Sequence, residues 1–444
     1  MTQATKKNKN YGLNYFTKTQ PYWVVFLTAT FFLYSFINLN SFDALNENLR
    51  NFYQLDAIGI SNLSALYFYA NVIFMIPAGL LLDRYSTKKL VLTAFLISIL
   101  STLLFAWGGH LYTAMIARFL TGMMATFCLL SAAKLTSRWI PPKHAGFVMG
   151  GVITLAMIGG MLAQKLPNLT LIFNSWQKSI SAVAILGLFF WLLILFFVQN
   201  APKNQNQNKN PTSLQNTEQN TEHFNHRNKF YIIFFKALFN RQTWLSGIYS
   251  NFLSLPIILL GALWAKDYLI TSYHETLNSA EYNISLIFLG VLIGCPLAGW
   301  ISDRLKKRKA PMIIGAFLTL LTALFLITER TLSPLEIGLD FFLMGIFSGS
   351  QAITFALLIE SNPLHSTALA ESIGAMIIMS AGAIFQPLFG YLLERNWDGK
   401  MLGNTPLYTP ANFHMALWIL PITFAASVLI ALFIKETHCK NMNL

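Results

Sequence analysis

Charge is scarce in this chain. Only 11% of its 444 residues are Asp, Glu, Lys or Arg, where a water-soluble domain carries about 25%. A chain so long and so poor in charge does not present a soluble surface. Cysteine is scarcer still, with three in all. Cys128 and Cys295 fall inside apolar runs and Cys439 lies in the tail, and there is no CxxC. Neither a disulfide framework nor a zinc site is expected, and no metal or other cofactor is. A P-loop, a nucleophile elbow and a His/Cys ligand set are also lacking, which argues against an enzyme or receptor. The opening stretch, MTQATKKNKNYGLNYF, is polar and has no small-residue cleavage site before an early apolar core, so no removable signal peptide is expected.

Apolar length is what the chain has. Hydrophobic residues make up 55% of it, and its mean hydropathy is +0.50. Twelve apolar runs are marked at about 21–41, 58–82, 88–108, 111–136, 145–163, 179–199, 243–265, 284–302, 311–328, 334–358, 368–393 and 411–434, each near the roughly 20 residues a helix needs to cross a bilayer. They are continuous rather than alternating, which excludes a membrane barrel. They predict an all-α integral membrane protein with twelve transmembrane helices, here called spans 1 to 12, because backbone groups in lipid must be paired within the segment.

The formal charge of +13 is unevenly placed. With the N-terminus inside, 23 of the 31 Lys and Arg fall on the cytoplasmic side and seven on the other, with Arg118 inside a span. This asymmetry predicts both termini in the cytoplasm. It also accounts for the positive charge without a nucleic-acid partner. The stretch 200–229 is nearly all Asn, Gln, Thr and charge and reads as a solvated linker. The expected organisation is a cytoplasmic tail at 1–20, a six-helix bundle at 21–199, a cytoplasmic linker at 200–242, a second six-helix bundle at 243–434 and a tail at 435–444.

The two halves share a motif. Pro77-Ala-Gly79-Leu-Leu-Leu-Asp83-Arg84 precedes Lys88 and Lys89, and Gly299-Trp-Ile-Ser-Asp303-Arg304 precedes a basic cluster at 306–309. The two Gly-x-x-x-Asp-Arg copies lie 220 residues apart, half the chain. This doubled pattern resembles the major facilitator superfamily. The resemblance implies two pseudo-symmetric six-helix bundles, a central cavity lined by spans 1, 4, 7 and 10, and alternating access by rocking. It places the start of span 11, near Ala368, beside Asp83 and the start of span 5 beside Asp303. Gly79, Asp83, Arg84, Gly299, Asp303 and Arg304 are then gate residues of the cytoplasmic side. The plainer reading is that the basic residues only anchor topology. Ser86, Thr87 and Lys306 depart from the family pattern, two of them where a glycine is usual.

A narrower likeness rests on shorter blocks. They are Lys134-Leu-Thr-Ser-Arg138-Trp139-Ile-Pro141-Pro142, Gly159-Gly160-Met-Leu-Ala-Gln164, Leu263-Trp264 with Tyr268-Leu269, Glu360-Ser-Asn362-Pro363, Gln386-Pro387-Leu-Phe-Gly390 and Trp397-Asp398-Gly399. These resemble the phagosomal nutrient transporters of intracellular gammaproteobacteria. The likeness implies import of an amino acid, a nucleoside or, in some relatives, an iron siderophore. Against drug export stands span 5, which has no proline between Ala145 and Lys165.

Ionisable residues inside spans are functional candidates by default. Arg118 in span 4 matches the superfamily's helix 4 arginine and is read as a contact for protons or a substrate anion. Asp340 in span 10 is the proton-coupling candidate, and Glu336 shares its face four residues earlier. Equivalent positions in the two halves suggest that Arg118 and Asp340 face each other. Static pairing is the plain alternative. Glu360 and Glu371, with His365 between them, make an acidic cluster that would meet Lys134, Arg138 and Lys143 when the inner mouth closes, and no role is assigned to His365. Pockets mix apolar walls with a few placed polar groups. On that ground Tyr34, Asn38, Tyr67, Asn71, Asn251, Trp264 and Gln351 join Arg118 as substrate-contact candidates. Tyr249, Ser254, Ser348 and Thr354 are further polar residues of spans 7 and 10, and Pro256 predicts a kink. Helix–helix hydrogen bonding is the plain reading for all of these.

The expected function is proton-coupled import of a small polar nutrient across the inner membrane, an amino acid first, by a monomer that meets only its substrate, protons and lipid. Nucleoside or siderophore uptake and efflux antiport are the alternatives.

Overall fold

The structure is a computed structural model. It describes residues 5–140, 142–198, 238–328, 331–363, 367–395, 397–402 and 405–440. The linker expected at 200–229 and His365 lie outside these residues. The side chain of Asp83, a gate candidate, lies outside them too.

Among the described residues, eleven helices are long and apolar enough to cross a membrane. They are Tyr22–Ala44, Ala57–Leu82, Thr87–Trp107, Leu111–Trp139, Trp176–Phe197, Arg241–Tyr273, Leu277–Leu305, Lys309–Thr328, Pro334–Glu360, Leu369–Arg395 and Pro410–Phe433. A twelfth span, the fifth in order, is a bent pair, Phe147–Ala163 with Leu166–Phe173, at 41°. Pro167 stands in the first turn of the second piece. It has no N–H to continue the ladder of the first, which is the reason for the bend. Spans 7 and 8, of 33 and 29 residues, extend well beyond their apolar runs. Span 8 begins at Leu277 because Thr276 caps it, its side chain accepting from the Ser279 N–H. Span 7 runs on through Lys266 and Asp267 to Tyr273.

Packing repeats between the halves. Spans 1 and 5, 2 and 4, 3 and 4, 1 and 6, and 3 and 6 are in contact, and so are 7 and 11, 8 and 10, 9 and 10, 7 and 12, and 9 and 12. Each pair in the first half has its counterpart six spans later. The halves meet through span 2 against span 11 and span 5 against span 8. This is the predicted pair of pseudo-symmetric six-helix bundles. Small residues set the closest approaches: a Cβ on Gly122 would lie 2.1 Å from the Tyr67 carbonyl oxygen, and one on Gly294 would lie 2.2 Å from that of Ile346. The only strands among the described residues are a two-residue hairpin, Met401–Leu402 with Thr405–Pro406, between spans 11 and 12.

Candidate substrate site and gates

Span 7 is not a continuous α-helix. Residues Pro256–Trp264 form a π-helix, wholly buried, and the α-helix restarts at Ala265–Tyr273. The kink expected at Pro256 takes this form. Wider turns leave carbonyls badly aligned within the helix, and in a membrane they need partners from elsewhere. Three amides supply them. Asn46 donates to the Leu263 carbonyl at 2.7 Å, Gln164 to Gly261 at 3.1 Å and Gln386 to Ile258 at 2.8 Å. Two of these donors come from the first half and one from span 11. Gln164, Trp264 and Gln386 belong to three of the short blocks that were far apart in sequence.

Around this segment the halves are sealed. The Asp43 carboxylate accepts the Lys266 backbone N–H at 3.0 Å, and the Lys266 ammonium donates to the Ala44 carbonyl at 2.7 Å. Arg50 lies 3.8 Å from Asp267, donates to the Pro406 carbonyl at 2.6 Å and stacks over Tyr408. Lys165 and Asn168 both bond Glu281, at 3.4 and 3.0 Å. The Ala57 N–H is held by Glu394 and the Tyr408 hydroxyl. All of these bonds lie at the end of the molecule opposite the basic loops 2–3 and 8–9. At the basic end, a Cβ on Gly150 or on Gly299 would meet nothing within 4 Å, and one on Gly79 would reach only the Ser372 hydroxyl, at 3.7 Å. No close helix contact forms at the motif glycines in this state, which is shut at the end opposite the basic loops.

At the basic end the second half organises its own charges. Arg308, 6% exposed, bonds Asp303 at 2.6 Å, Glu360 at 2.6 Å and the Ser302 hydroxyl at 2.9 Å. The Thr437 hydroxyl donates to the other oxygen of Glu360. Glu436 accepts the backbone N–H groups of Arg308 and Lys309 at 2.7 and 2.9 Å. Burial works against the charge of Arg308, but the bonds to Glu360 and Asp303 prevail and hold its pKa above the usual value. Burial alone would raise Glu436, yet the N–H groups of Arg308, Lys309 and His438 bring it below the usual carboxylate range. Two gate candidates, Asp303 and Glu360, are thus brought together by Arg308, a residue that had been read only as part of the basic cluster. Arg304 is exposed and lies over the Trp300 ring instead, and Arg84 is exposed. Glu371 joins neither Glu360 nor Arg308. Lys306 adopts a left-handed conformation, with φ 49°. This is the position where the family has glycine, and the turn calls for that conformation. Ser86 is extended, with φ −62°, so its turn makes no such demand.

The substrate candidates fare unequally. The Arg118 guanidinium donates to the carbonyls of Asn38 and Leu39 at 2.8 and 3.3 Å and lies over the rings of Phe42 and Tyr67 at 4.0 and 4.9 Å. Its Nε has no partner, and it is 3% exposed. It borders a cavity of about 10 Å³, shared with Asn38, Ser41, Thr102 and Thr121. That is room for one water. This cavity lies among spans 1, 3, 4 and 6, inside the first half. Tyr34 donates to Thr102 at 2.7 Å, and Thr102 to Asn38 at 3.0 Å. Tyr67 pairs with Ser35 at 2.9 Å, Asn71 donates to the Gly122 carbonyl at 3.4 Å, and Asn251 donates to the Ile377 carbonyl at 2.6 Å. Trp264 stacks on Phe389 at 5.6 Å. In this state these six side chains sit in helix contacts and do not face an open cavity: Asn71 and Asn251 bond carbonyls of neighbouring helices, Tyr34 and Tyr67 bond hydroxyls, and the Trp264 indole N–H is buried without a partner. Gln351 alone among the candidates is half-buried and carries no side-chain bond.

Asp340 is buried at 4% exposure, and one of its oxygens has no partner. No ion pair joins it to Arg118. The expected facing pair is not formed, because Arg118 turns into its own bundle. Glu336 is exposed and closes a capping box with Ser333 at the start of span 10. Its role is in the helix end, not beside Asp340. The residues that sequence reasoning passed over are Asp43, Lys266, Asp267, Glu281 and Arg308. One signal was available. Asp43 and Lys266 stand at the same end of two equivalent spans, 1 and 7, with opposite charge.

Comparison with known proteins agrees with this architecture. A probable sulfoacetate transporter of Cupriavidus necator is 22% identical over 74% of this chain and 76% of its own length. A class H tetracycline resistance protein of Pasteurella multocida is 27% identical over 56% of this chain and 59% of its own. The solved structure of a D-xylose–proton symporter superposes with a TM-score of 0.72 at 15% identity, covering 95% of this chain and 99% of that one. Residues 22–370 match the family model of the Major Facilitator Superfamily. The chain is a multi-pass membrane protein of the Major Facilitator Superfamily of secondary transporters.

Proposed function

We propose that this protein imports a small organic anion across the inner membrane by proton-coupled alternating access, as a monomer with both termini in the cytoplasm. The observation that carries this reading is Arg118. Among the described residues, two other buried arginines, Arg50 and Arg308, have a carboxylate within 4 Å, and Arg118 has none. A guanidinium in a span without a counter-ion favours a visiting anion, which it holds by parallel N–H bonds. The substrate anion would exchange with the carbonyls of Asn38 and Leu39 that now occupy the guanidinium. The sulfoacetate named for one relative fits this class, and the carboxylate of an amino acid keeps that substrate within it. An uncharged nucleoside falls outside. Orientation follows from the Lys and Arg asymmetry of the loops.

The second reading is efflux of an amphiphilic drug, favoured by the tetracycline resistance relative. The lack of a proline between Ala145 and Lys165 in span 5 weighs against it. Purified protein in liposomes with an imposed pH gradient decides between them. Accumulation of labelled sulfonates, carboxylates or sugar phosphates, abolished by collapsing the gradient, supports the proposal. Movement of cationic drugs alone would replace it with the second reading.

A further inference from the structure

Asp43 and Lys266 make an unusual exchange. Asp43 is the penultimate residue of the first helix, which ends at Ala44, and Lys266 is the second residue of the helix that restarts span 7. The carboxylate caps the free N–H end of the restarted helix, and the ammonium caps the free carbonyl end of the first helix. Each charge sits at the helix end whose dipole attracts it. Each comes from the opposite half of the transporter. Both residues are buried, Asp43 at 0% and Lys266 at 4% exposure. The second oxygen of Asp43 has no partner.

The groups that face Asp43 are few. Lys266 and Asp267 face it from span 7, and Gln164 from span 5. Arg50 and Glu47 act one layer further out, through Asp267, and Lys165 and Glu281 act through Lys266. Asp340 sits within its own half, near Tyr268. Glu394 also holds a helix end of the other half at this seam, the Ala57 N–H at the start of span 2, but it is half-buried, whereas Asp43 is fully buried.

We propose that Asp43 is the acid-sensitive element of the outer seal: charged, it holds the restart of span 7 closed against span 1, and protonated from outside it releases that helix. This deepens the proposed proton-driven import, on which it rests, by naming the group that takes the proton. Protonation removes the negative charge from the N-terminus of the restarted helix and leaves the Lys266 ammonium without its counter-charge. The outer seam then opens toward substrate.

The test measures the seam itself. Spin labels are placed at Lys178 and Asn278, both exposed at the outer end, in protein whose three native cysteines are replaced. Interlabel distances are read by pulsed electron resonance in lipid nanodiscs between about pH 8 and about pH 5. The unsubstituted pair needs no variant that endangers folding: a second, longer distance growing in as pH falls is expected, and an unchanged distribution would overturn the proposal. Asp43→Asn is expected to populate the longer distance at every pH, with the titration gone. Lys266→Gln is expected to loosen the seam and keep the titration. A pH response surviving intact in Asp43→Asn assigns it to another group and sinks the idea. If the seam titrates through Asp43 while uptake in liposomes ignores the pH gradient, the seal stands and the proton-driven reading falls.

Discussion

Asp43 and Lys266 cap each other's helices across the two halves, at 3.0 and 2.7 Å. This arrangement differs from a salt bridge in a way that can be checked. An ordinary ion pair survives reversal of its charges. Here reversal sets a cation at an N-terminus and an anion at a C-terminus, each unfavourable by about 0.3–1 kcal/mol and up to ~2 when buried. The double variant Asp43→Lys with Lys266→Asp should therefore close the seam no better than either single change. A cysteine at the buried Leu45, beside the seal, reports this through its alkylation rate by an impermeant maleimide. Rescue by the double variant would return the pair to a plain salt bridge.

Arg118 is expected to separate transport from stability. A buried charge without a counter-ion carries an uncompensated desolvation cost, which an apolar residue in its place removes. Arg118→Leu should melt within about 4 °C of the parent and lose anion uptake by about 100-fold, some 2.7 kcal/mol of binding. Arg118→Lys should fail nearly as badly, since a point charge cannot make the forked contact. Uptake in Arg118→Leu close to the parent would remove the residue from the substrate site.

The glycines divide into two groups. At Gly290 and Gly294 an added Cβ would come within 2.3 and 2.2 Å of backbone carbonyl oxygens in span 10. Alanine there should destabilise by about 1–3 kcal/mol, the usual penalty of overpacking. At Gly299 nothing lies within 4 Å, so Gly299→Ala should leave the melting temperature unchanged. If span 8 meets span 5 there when the basic end shuts, the same variant will slow uptake. Thermal unfolding and uptake measured on the same preparations separate these effects.

The tail contact has a pH signature. Glu436 lies beyond the last span, and its pKa is lowered in the fold by the backbone N–H groups it accepts. A lowered carboxylate adds stability that is fully present above its unfolded pKa and is lost as pH falls through the folded value. The melting temperature should fall on the acid side. Glu436→Gln should flatten that part of the profile by lowering the neutral region toward the acid value. An identical acid limb in the variant would show that Glu436 does not secure loop 8–9.

Several features were legible before any coordinates. Apolar length predicted the spans because lipid leaves a backbone no other partner. The doubled Gly-x-x-x-Asp-Arg showed the two halves because each copy carries its own spacing. Lys306 was read as a departure from the family pattern at a glycine position, and the structure nonetheless has a left-handed turn there. The polar residues within spans were harder. Tyr34, Asn38, Tyr67, Asn71 and Asn251 were read as substrate contacts. Sequence spacing does not say which backbone carbonyl lies opposite, and in this state helix contacts take all five. Asp43, Lys266 and Glu281 were passed over because they stand at the ends of apolar runs, where a charge usually meets water.

By itself the sequence determined what depends on solvent and on local spacing: a membrane chain, twelve spans, two related halves and the end that carries the basic loops. Those properties follow from transfer of apolar surface and charge, which each segment carries alone. Only the tertiary structure decided which end is shut, that Arg118 turns away from Asp340, and that Asp43 and Lys266 hold each other's helices. These depend on the relative placement of segments more than 200 residues apart. A directional bond of about 3 Å is set by that placement and by nothing in the local sequence.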